Sequence, residues 1–205
     1  MKLRTLLFTF AAIVAAFLLW PRKPATWLIR NAPPGTGSIV CFGDSLTRGH
    51  GAAPEESYPA VLGHLLGREI LNRGRDGETS ESALERLDDD VLAASPSVVI
   101  ITLGGNDMMR RLPIEDTVRS LRRIFERILA ARAMVVFLPI DPPFVSGERT
   151  EKVKDLCREL GVLYVDSVMD GMWGNRRLMS DNIHPNAAGY RAMAERVRDA
   201  LEGRL

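Results

Sequence analysis

The chain has 205 residues, of which 46% are hydrophobic and 26% are charged, a composition typical of one globular domain. Its 27 basic and 26 acidic residues nearly balance, but five basic and no acidic residues lie within the first 30 positions, so the rest of the chain is mildly acidic. A mildly acidic body with interspersed charges argues against nucleic acid as a partner, because phosphate binding needs a basic stripe.

The first predicted element is an apolar segment that runs from Thr5 to Trp20 without a charge and follows Lys2 and Arg4. A short basic start before such a segment is typical of a secretory signal. No small-x-small cleavage motif separates the segment from the basic cluster at 21–24. The sequence therefore favours an uncleaved membrane anchor, with a cleaved signal peptide as the alternative.

The chain divides into three predicted regions. Residues 1–30 form the signal peptide or membrane anchor, residues 31–37 form a linker rich in proline and glycine, and residues 38–205 form the folded domain. We expect an exported protein, periplasmic or attached to the membrane through residues 5–20, with the folded domain outside the cytoplasm.

Short apolar segments follow the linker and are predicted to be strands. They are rich in valine and isoleucine, and the central ones are almost continuously apolar, as is typical of strands that are covered on both faces. The five segments are residues 38–42, 69–73, 97–104, 133–140 and 162–167.

Helical patterns lie between and after these strands. The clearest runs from Pro113 to Ala131, where apolar residues recur every three or four positions, and a last one carries apolar residues from Tyr190 to Leu201. His64 lies on another helical pattern and is expected to be exposed. The alternation predicts an α/β fold in three layers, α/β/α, around a mostly parallel, five-stranded, doubly wound sheet, whose ligand site lies at the carboxyl ends of the strands.

Polar clusters occur where this topology expects a ligand. Three follow the first three strands, and one follows the last. Each alone matches an ordinary turn or helix cap, but their joint occurrence in this order at strand ends favours a functional site. The clusters are CFGDSLTRGHG at 41–51, NRGRDGETS at 72–80, LGGNDMM at 103–109 and DNIHPN at 181–186.

These four clusters resemble the motifs of the GDSL, or SGNH, hydrolase family, and within it the bacterial thioesterase, arylesterase and lysophospholipase type of esterase. The letters of SGNH correspond to Ser45, Gly77, Asn106 and His184. The resemblance implies a flavodoxin-like SGNH fold in which Ser45 is the nucleophile, His184 the base and Asp181 the residue that orients the base. It also implies an oxyanion hole made by the backbone N–H groups of Ser45 and Gly77 and the side-chain amide of Asn106.

The spacing of Asp181 and His184 has a chemical reason. A serine hydroxyl is a poor nucleophile until a base removes its proton, and a histidine base needs an acceptor on its other ring nitrogen. Asp181 lies three residues before His184, and Pro185 stiffens the backbone that presents the ring. His50 is a rival base, but it has no carboxylate at comparable spacing.

The resemblance predicts a serine esterase that hydrolyses carboxylic esters or thioesters, such as acyl esters or lysophospholipids, through an acyl-enzyme. It implies a small-molecule substrate, no cofactor and no metal. The alternative is an O-acetyl esterase that acts on envelope or environmental polysaccharide. A non-catalytic binding domain on the same fold would be expected to lack a catalytic residue, and none is missing.

Two further sets of residues have less specific interpretations. Cys41 and Cys157 are predicted to be buried thiols, because two cysteines make neither a disulfide framework nor a metal motif. Met108, Met109 and the loop at 169–175 form either an adaptable apolar wall for a substrate or ordinary packing.

Overall fold

A computed structural model describes residues 27–140, 142, 147–166 and 168–205. Within these residues the chain forms one sheet of five parallel strands in the order β2-β1-β3-β4-β5. The doubly wound order places β1 and β3 at the centre, where their carboxyl ends meet. The strands are β1 (Ser38–Gly43), β2 (Ile70–Gly74), β3 (Pro96–Thr102), β4 (Met134–Phe137) and β5 (Leu163–Tyr164).

Helices cover both faces of the sheet. Among the described residues the α-helices are α1 (Ser45–Arg48), α2 (Tyr58–Leu66), α3 (Ser80–Glu85), α4 (Leu87–Asp90), α5 (Gly105–Met109), α6 (Ile114–Ala130), α7 (Gly147–Leu160) and α8 (Ala187–Leu201). Helices α2 and α8 pack on one face, and α3, α4, α6 and α7 pack on the other. The short helices α1 and α5 follow β1 and β3 at the carboxyl edge.

Alternation along the strands explains the two cores. Successive side chains of a strand point to opposite faces, so a strand that is covered twice must be apolar at every position. In β1, Ile39 and Cys41 pack with α2 and α8, whereas Val40 and Phe42 pack with the helices of the other layer. This burial is the reason for the continuous apolar runs of the sequence, and it confirms the predicted three-layer fold.

The predicted boundaries differ most at the ends of the last two strands. The segment 133–140 is paired only as Met134–Phe137, and 162–167 only as Leu163–Tyr164. Pro139 has no N–H to donate to a neighbouring strand, so it limits the length of β4. The apolar residues beyond the strand ends, Leu138, Ile140 and Val165, are still buried, because they belong to the core on the face that α2 and α8 cover.

The predicted anchor at residues 5–20 lies outside the described residues. The described chain begins with a segment that binds to the domain: the Trp27 indole N–H donates to the Val162 carbonyl at 2.9 Å, and the Asn31 amide donates to the carbonyls of Leu129 and Ala133. None of the helices in the described ranges has the length and apolar character that a bilayer crossing requires.

Both cysteines are buried, as predicted, and neither forms a disulfide. Cys41 packs with α2 and α8, and Cys157 packs in the core on the opposite face of the sheet. Burial raises the pKa of the Cys41 thiol to about 12, and it also raises the pKa of the Cys157 thiol well above its usual range. Both thiols are therefore structural.

Candidate active site

The register of the sheet brings three of the four polar clusters together. Gly43, the last residue of β1, is paired with Gly74 at the end of β2 and with Thr102 at the end of β3. The loops that carry Ser45, Gly77 and Asn106 therefore leave the sheet side by side. The fourth cluster arrives from the far end of the chain, just before α8.

Ser45 is the first residue of α1, and Asp44 is the cap of that helix. The Asp44 carboxylate accepts a hydrogen bond from the backbone N–H of Leu46 at 3.0 Å. Burial of the Asp44 carboxyl raises its pKa to about 7, and the nearby carboxylates of Glu78 and Asp107 act in the same direction. The Asp44 side chain therefore acts as the N-cap of α1.

The structure brings Ser45, His184 and Asp181 into one hydrogen-bonded chain. The Ser45 Oγ lies 3.0 Å from the His184 Nε2, although the two residues are 139 positions apart. The His184 Nδ1 lies 2.8 Å from the Asp181 Oδ2. When Nδ1 donates its proton to the carboxylate, Nε2 is left as an acceptor for the serine hydroxyl.

Asp181 is held in its charged form. Partial burial opposes ionisation, but the backbone N–H groups of His184 and Ile183, together with the His184 ring, outweigh it and lower the pKa of Asp181 to about 2. Both backbone bonds, each 2.7 Å long, reach Oδ1, and the ring reaches Oδ2. One carboxylate therefore fixes both the turn and the tautomer of the histidine ring.

A closed turn supports this pair. The backbones of Met179 and Pro185 form an antiparallel bridge, and the Ser180 N–H donates to the His184 carbonyl at 2.9 Å. Gly51, with φ of +93°, lies so close to this turn that a Cβ there would stand 2.1 Å from the Ser180 Oγ. Because glycine has no side chain, the turn that carries His184 can lie against the loop that follows Ser45 at Gly51.

Asn106 is buried at the start of α5 and is fixed by the neighbouring loop. Its side-chain N–H donates to the Glu78 carbonyl at 2.9 Å. An amide nitrogen has two hydrogens, so the second remains available for a ligand. Gly77 precedes Glu78 with φ of +72°, a conformation that favours glycine, and its carbonyl accepts from Arg110 at 2.8 Å.

Two buried residues that the sequence did not single out hold the Gly77 loop. Arg86 donates to the Glu78 carboxylate at 2.6 Å, and also to the backbone carbonyls of Gly43 and Arg73. Asp107 accepts from the backbone N–H of Ser80 at 2.9 Å. Asp107 stands next to Asn106 in the GGND motif, which is a signal that could have identified it. Nothing in the local pattern marks Arg86, because its partners come from separate segments.

His50 occupies a position that the sequence did not predict. Its ring packs against the His184 ring, with 4.3 Å between the ring centroids, and its Nδ1 lies 3.5 Å from the Asp76 carboxylate. A carboxylate is therefore near His50 after all, supplied by the loop after β2. The Ser45 hydroxyl, however, bonds to His184.

Two apolar side chains are exposed next to the polar residues. Met109 follows Asn106 on α5 and is 50% exposed, and Ile183 precedes His184 and is 37% exposed. Met169 and Met172 of the other proposed apolar segment are buried in the core, so the packing interpretation holds for them.

A model of the GDSL-like Lipase/Acylhydrolase family matches residues 41–192, a range that contains all of the polar clusters. The chain belongs to this family. It is accordingly a carboxylic ester hydrolase, as the motifs predicted.

Curated relatives of this GDSL hydrolase carry several names. It is 28% identical over 173 residues to thioesterase 1/protease 1/lysophospholipase L1 of Escherichia coli K12, a match that covers 80% of this chain and 83% of that protein. It is 26% identical to an acetylxylan esterase of Geobacillus stearothermophilus, over 80% of this chain and 84% of the relative.

The fold of the hydrolase also matches solved structures. The psychrotrophic esterase EstA from Pseudoalteromonas sp., in a structure inhibited by monoethylphosphonate, superposes with a TM-score of 0.71 at 25% identity. The match covers 82% of this chain and 97% of EstA. The predicted fold class is thus confirmed by both its strand order and its neighbours.

Proposed function

We propose that the protein is a serine esterase in which Ser45 is the nucleophile, His184 the general base and Asp181 the residue that orients the base. The observation that carries the proposal is the hydrogen-bonded chain from the Ser45 Oγ through both nitrogens of His184 to Asp181, with distances of 3.0 and 2.8 Å. A geometry of this kind is the requirement for an activated serine.

The reaction proceeds through an acyl-enzyme. The Ser45 Oγ attacks the carbonyl carbon of the ester while the His184 Nε2 takes the hydroxyl proton. The tetrahedral intermediate then breaks the bond to the alcohol or thiol, which leaves with the proton from His184. Water repeats the two steps on the acyl group and releases the acid and free Ser45. Asp181 stays ionised throughout and stabilises the imidazolium, in keeping with its low pKa.

The oxyanion receives hydrogen bonds from the backbone N–H groups of Ser45 and Gly77 and from the side chain of Asn106. The bond from Asn106 to the Glu78 carbonyl fixes the amide before substrate arrives, so little reorganisation is needed in the transition state. Gly77 contributes a backbone N–H in a conformation that a larger residue would adopt only with strain.

The substrate is an ester or thioester with an apolar acyl group. Met109 and Ile183 expose apolar surface beside Asn106 and His184, where an acyl chain would lie. The thioesterase and lysophospholipase names of the Escherichia coli relative support the same class. The acetylxylan esterase of Geobacillus stearothermophilus supports the second candidate, an O-acetyl esterase that acts on polysaccharide.

A substrate panel separates the two candidates. The purified protein is assayed with p-nitrophenyl esters of increasing chain length, with an acyl thioester and with acetylated xylan. Turnover that rises with chain length supports the acyl esterase, whereas preferential release of acetate from xylan supports the second candidate. Ser45→Ala is the matched control and should remain folded without turnover. A Ser45→Ala protein that still turned over ester would contradict the covalent mechanism.

We further propose that the apolar segment at residues 5–20 exports the protein and leaves the domain at 38–205 outside the cytoplasm. Its support is the basic start and the uncharged run from Thr5 to Trp20. A reporter that is active only outside the cytoplasm should give a signal when fused after residues 1–35 and none when fused without them. Recovery of the full-length protein in the cytosolic fraction would contradict this, and a mature N-terminus after Trp20 would indicate a cleaved signal.

A further inference from the structure

Three metal-ligating side chains meet beside the proposed nucleophile. His50, Asp181 and His184 each offer one ligand atom, and these atoms all lie within 4.8 Å of one another. The side chains of His50 and Asp181 are 47% and 48% exposed, so an ion could reach them directly from solvent. The two histidines lie 134 positions apart in sequence. The cluster therefore exists only in the folded chain.

The ligands suit zinc. Two imidazoles and one carboxylate are ligands that Zn²⁺ takes at about 2.0–2.2 Å, and a water molecule completes the tetrahedron. Zn²⁺ has no geometric preference from its d-electrons, so it tolerates a site that closes by small side-chain movements. The three ligand atoms already lie within 4.8 Å of one another, so the exposed His50 ring needs only a small movement to bring its nitrogen towards the other two.

The backbone of His50 is held in place by a hydrogen bond from a core residue. The Tyr190 hydroxyl donates to the His50 carbonyl at 2.7 Å, and Tyr190 itself is buried in the core. The Asp76 carboxylate would compete with a metal ion for the His50 ring. It lies 3.5 Å from the His50 Nδ1 and also pairs with Arg48. A divalent cation offers the ring a stronger partner than an exposed carboxylate.

We propose that His50, Asp181 and His184 form a Zn²⁺ site whose occupation inhibits the esterase. The inhibitory part rests on the function proposed above. His184 could bind the ion through either ring nitrogen, and both choices remove a bond that the reaction needs. Coordination through Nδ1 replaces the bond to Asp181, and coordination through Nε2 replaces the bond to the Ser45 hydroxyl.

Zinc binding is measured by calorimetry on the full chain carrying Ser45→Ala, which has no turnover and keeps all three ligands. One ion should bind per chain. Adding His50→Ala should weaken the affinity by roughly tenfold or more, since even partners outside the first coordination shell change metal affinity by 10–100-fold. His64→Ala is the matched control, because His64 is an exposed histidine on α2, and it should leave the affinity unchanged.

Inhibition is measured separately with the serine intact. ZnCl₂ should inhibit the unsubstituted enzyme and the His64→Ala variant equally, and His50→Ala or His50→Gln should need roughly tenfold more zinc. Thermal melting shows whether the His50 variants are folded. Absence of binding to Ser45→Ala, or binding unaffected by loss of His50, would overturn the zinc site. Absence of esterase activity would overturn the proposed function alone, because the calorimetry requires no turnover.

Discussion

Asn106 has two amide hydrogens, and the structure accounts for one of them. The Glu78 carbonyl receives the first at 2.9 Å, and we propose that the oxyanion of the substrate receives the second. On this proposal, the same side chain holds the Gly77 loop in the resting enzyme and stabilises the oxyanion in the transition state. Its removal should affect both the folded state and the reaction, and the two effects can be separated.

Asn106→Ala should lower kcat by roughly 10²–10³-fold, the effect of losing a typical oxyanion donor, and should leave KM nearly unchanged. The donor acts where charge develops, so ground-state binding is little affected. Stability should also fall, by about 1–3 kcal/mol, because the buried Glu78 carbonyl loses its donor. Both kcat and the melting temperature are measured on the same preparation.

Asp107→Asn is the matched control for this experiment. Asp107 is buried next to Asn106 on α5 and holds Ser80 of the same loop, but it is not proposed to contact the substrate. It should lower stability while kcat changes much less than in Asn106→Ala. An Asn106→Ala protein that is destabilised but fully active would remove Asn106 from the oxyanion hole.

At the residue scale the sequence predicted contacts that are local or that belong to a known motif. Asp181 and His184 are three positions apart, so their pairing follows from one short turn. The contact between His50 and His184 could not be predicted, because it depends on how the loop with Gly49 and Gly51, both at positive φ, approaches the turn that carries His184. Arg86 was missed for the same reason, since its acceptors are spread over several segments.

At the scale of elements, the loop after β2 depends on a buried ion pair. Arg86 and Glu78 have side chains that are 8% and 6% exposed, and Arg86 also donates to the carbonyl of Gly43 at the end of β1. Its guanidinium stacks over the Phe42 ring, 4.4 Å from the centroid. The Arg86 side chain thus connects β1, β2 and the loop that carries Gly77 and Glu78.

Arg86→Met should destabilise the protein by about 3–5 kcal/mol, because it leaves the Glu78 carboxylate buried without a partner. Adding Glu78→Leu should recover part of this loss, since a buried pair is often replaced by apolar residues at little cost. Recovery should be incomplete, because the carbonyls of Gly43 and Arg73 still lack the hydrogen bonds from Arg86. The free energies of unfolding in urea give these values.

An exposed ion pair provides the comparison. Arg122 on α6 pairs with Glu159 on α7, and both side chains are accessible to solvent. Arg122→Met should therefore cost much less than Arg86→Met, since exposed pairs contribute little to stability. Equal losses of stability in the two variants would show that the burial of Arg86 does not determine how much its ion pair contributes.

The elements themselves were largely predictable. Short apolar segments identified all five strands, and three- and four-residue spacing identified α6 and α8, because burial on a sheet face or on one stripe of a helix imposes such patterns. The ends of β4 and β5 were not predictable, since the apolar residues that follow them are as buried as the strands themselves. The hydrophobicity of a residue indicates whether it is buried, whereas its hydrogen bonding within the sheet depends on where the neighbouring strand ends.

At the scale of the whole molecule, the buried Asp44 couples global stability to pH. Its pKa is about 7 in the folded protein, against an ordinary value of 3.8. Between these values the folded chain holds a proton that the unfolded chain releases, so stability falls as the pH rises from 4 to 7. Below this window both states are protonated and Asp44 has no effect. Above it the full cost of a buried charge is present.

Asp44→Asn should flatten this dependence, because asparagine still caps α1 and carries no charge. Between pH 5 and pH 8 the free energy of unfolding of the unsubstituted protein should fall more than that of Asp44→Asn, by up to roughly 3 kcal/mol, because the pKa in the folded protein lies about two units above pH 5. Urea unfolding at both pH values measures the difference. Asp89→Asn, which changes an exposed carboxylate, should behave like the unsubstituted protein. Identical pH dependence in Asp44→Asn would exclude a role for Asp44.

The contact between Ser45 and His184 joins the first strand–helix connection to the last turn before α8, 139 positions later. During synthesis the ribosome releases the segment with Ser45 long before the turn with His184. Most of the sheet can form while Ser45 still lacks its proposed base. A nascent chain that ends before this turn would therefore have a nearly complete scaffold without reactivity, and we expect acyl transfer only after the turn with His184 has been released.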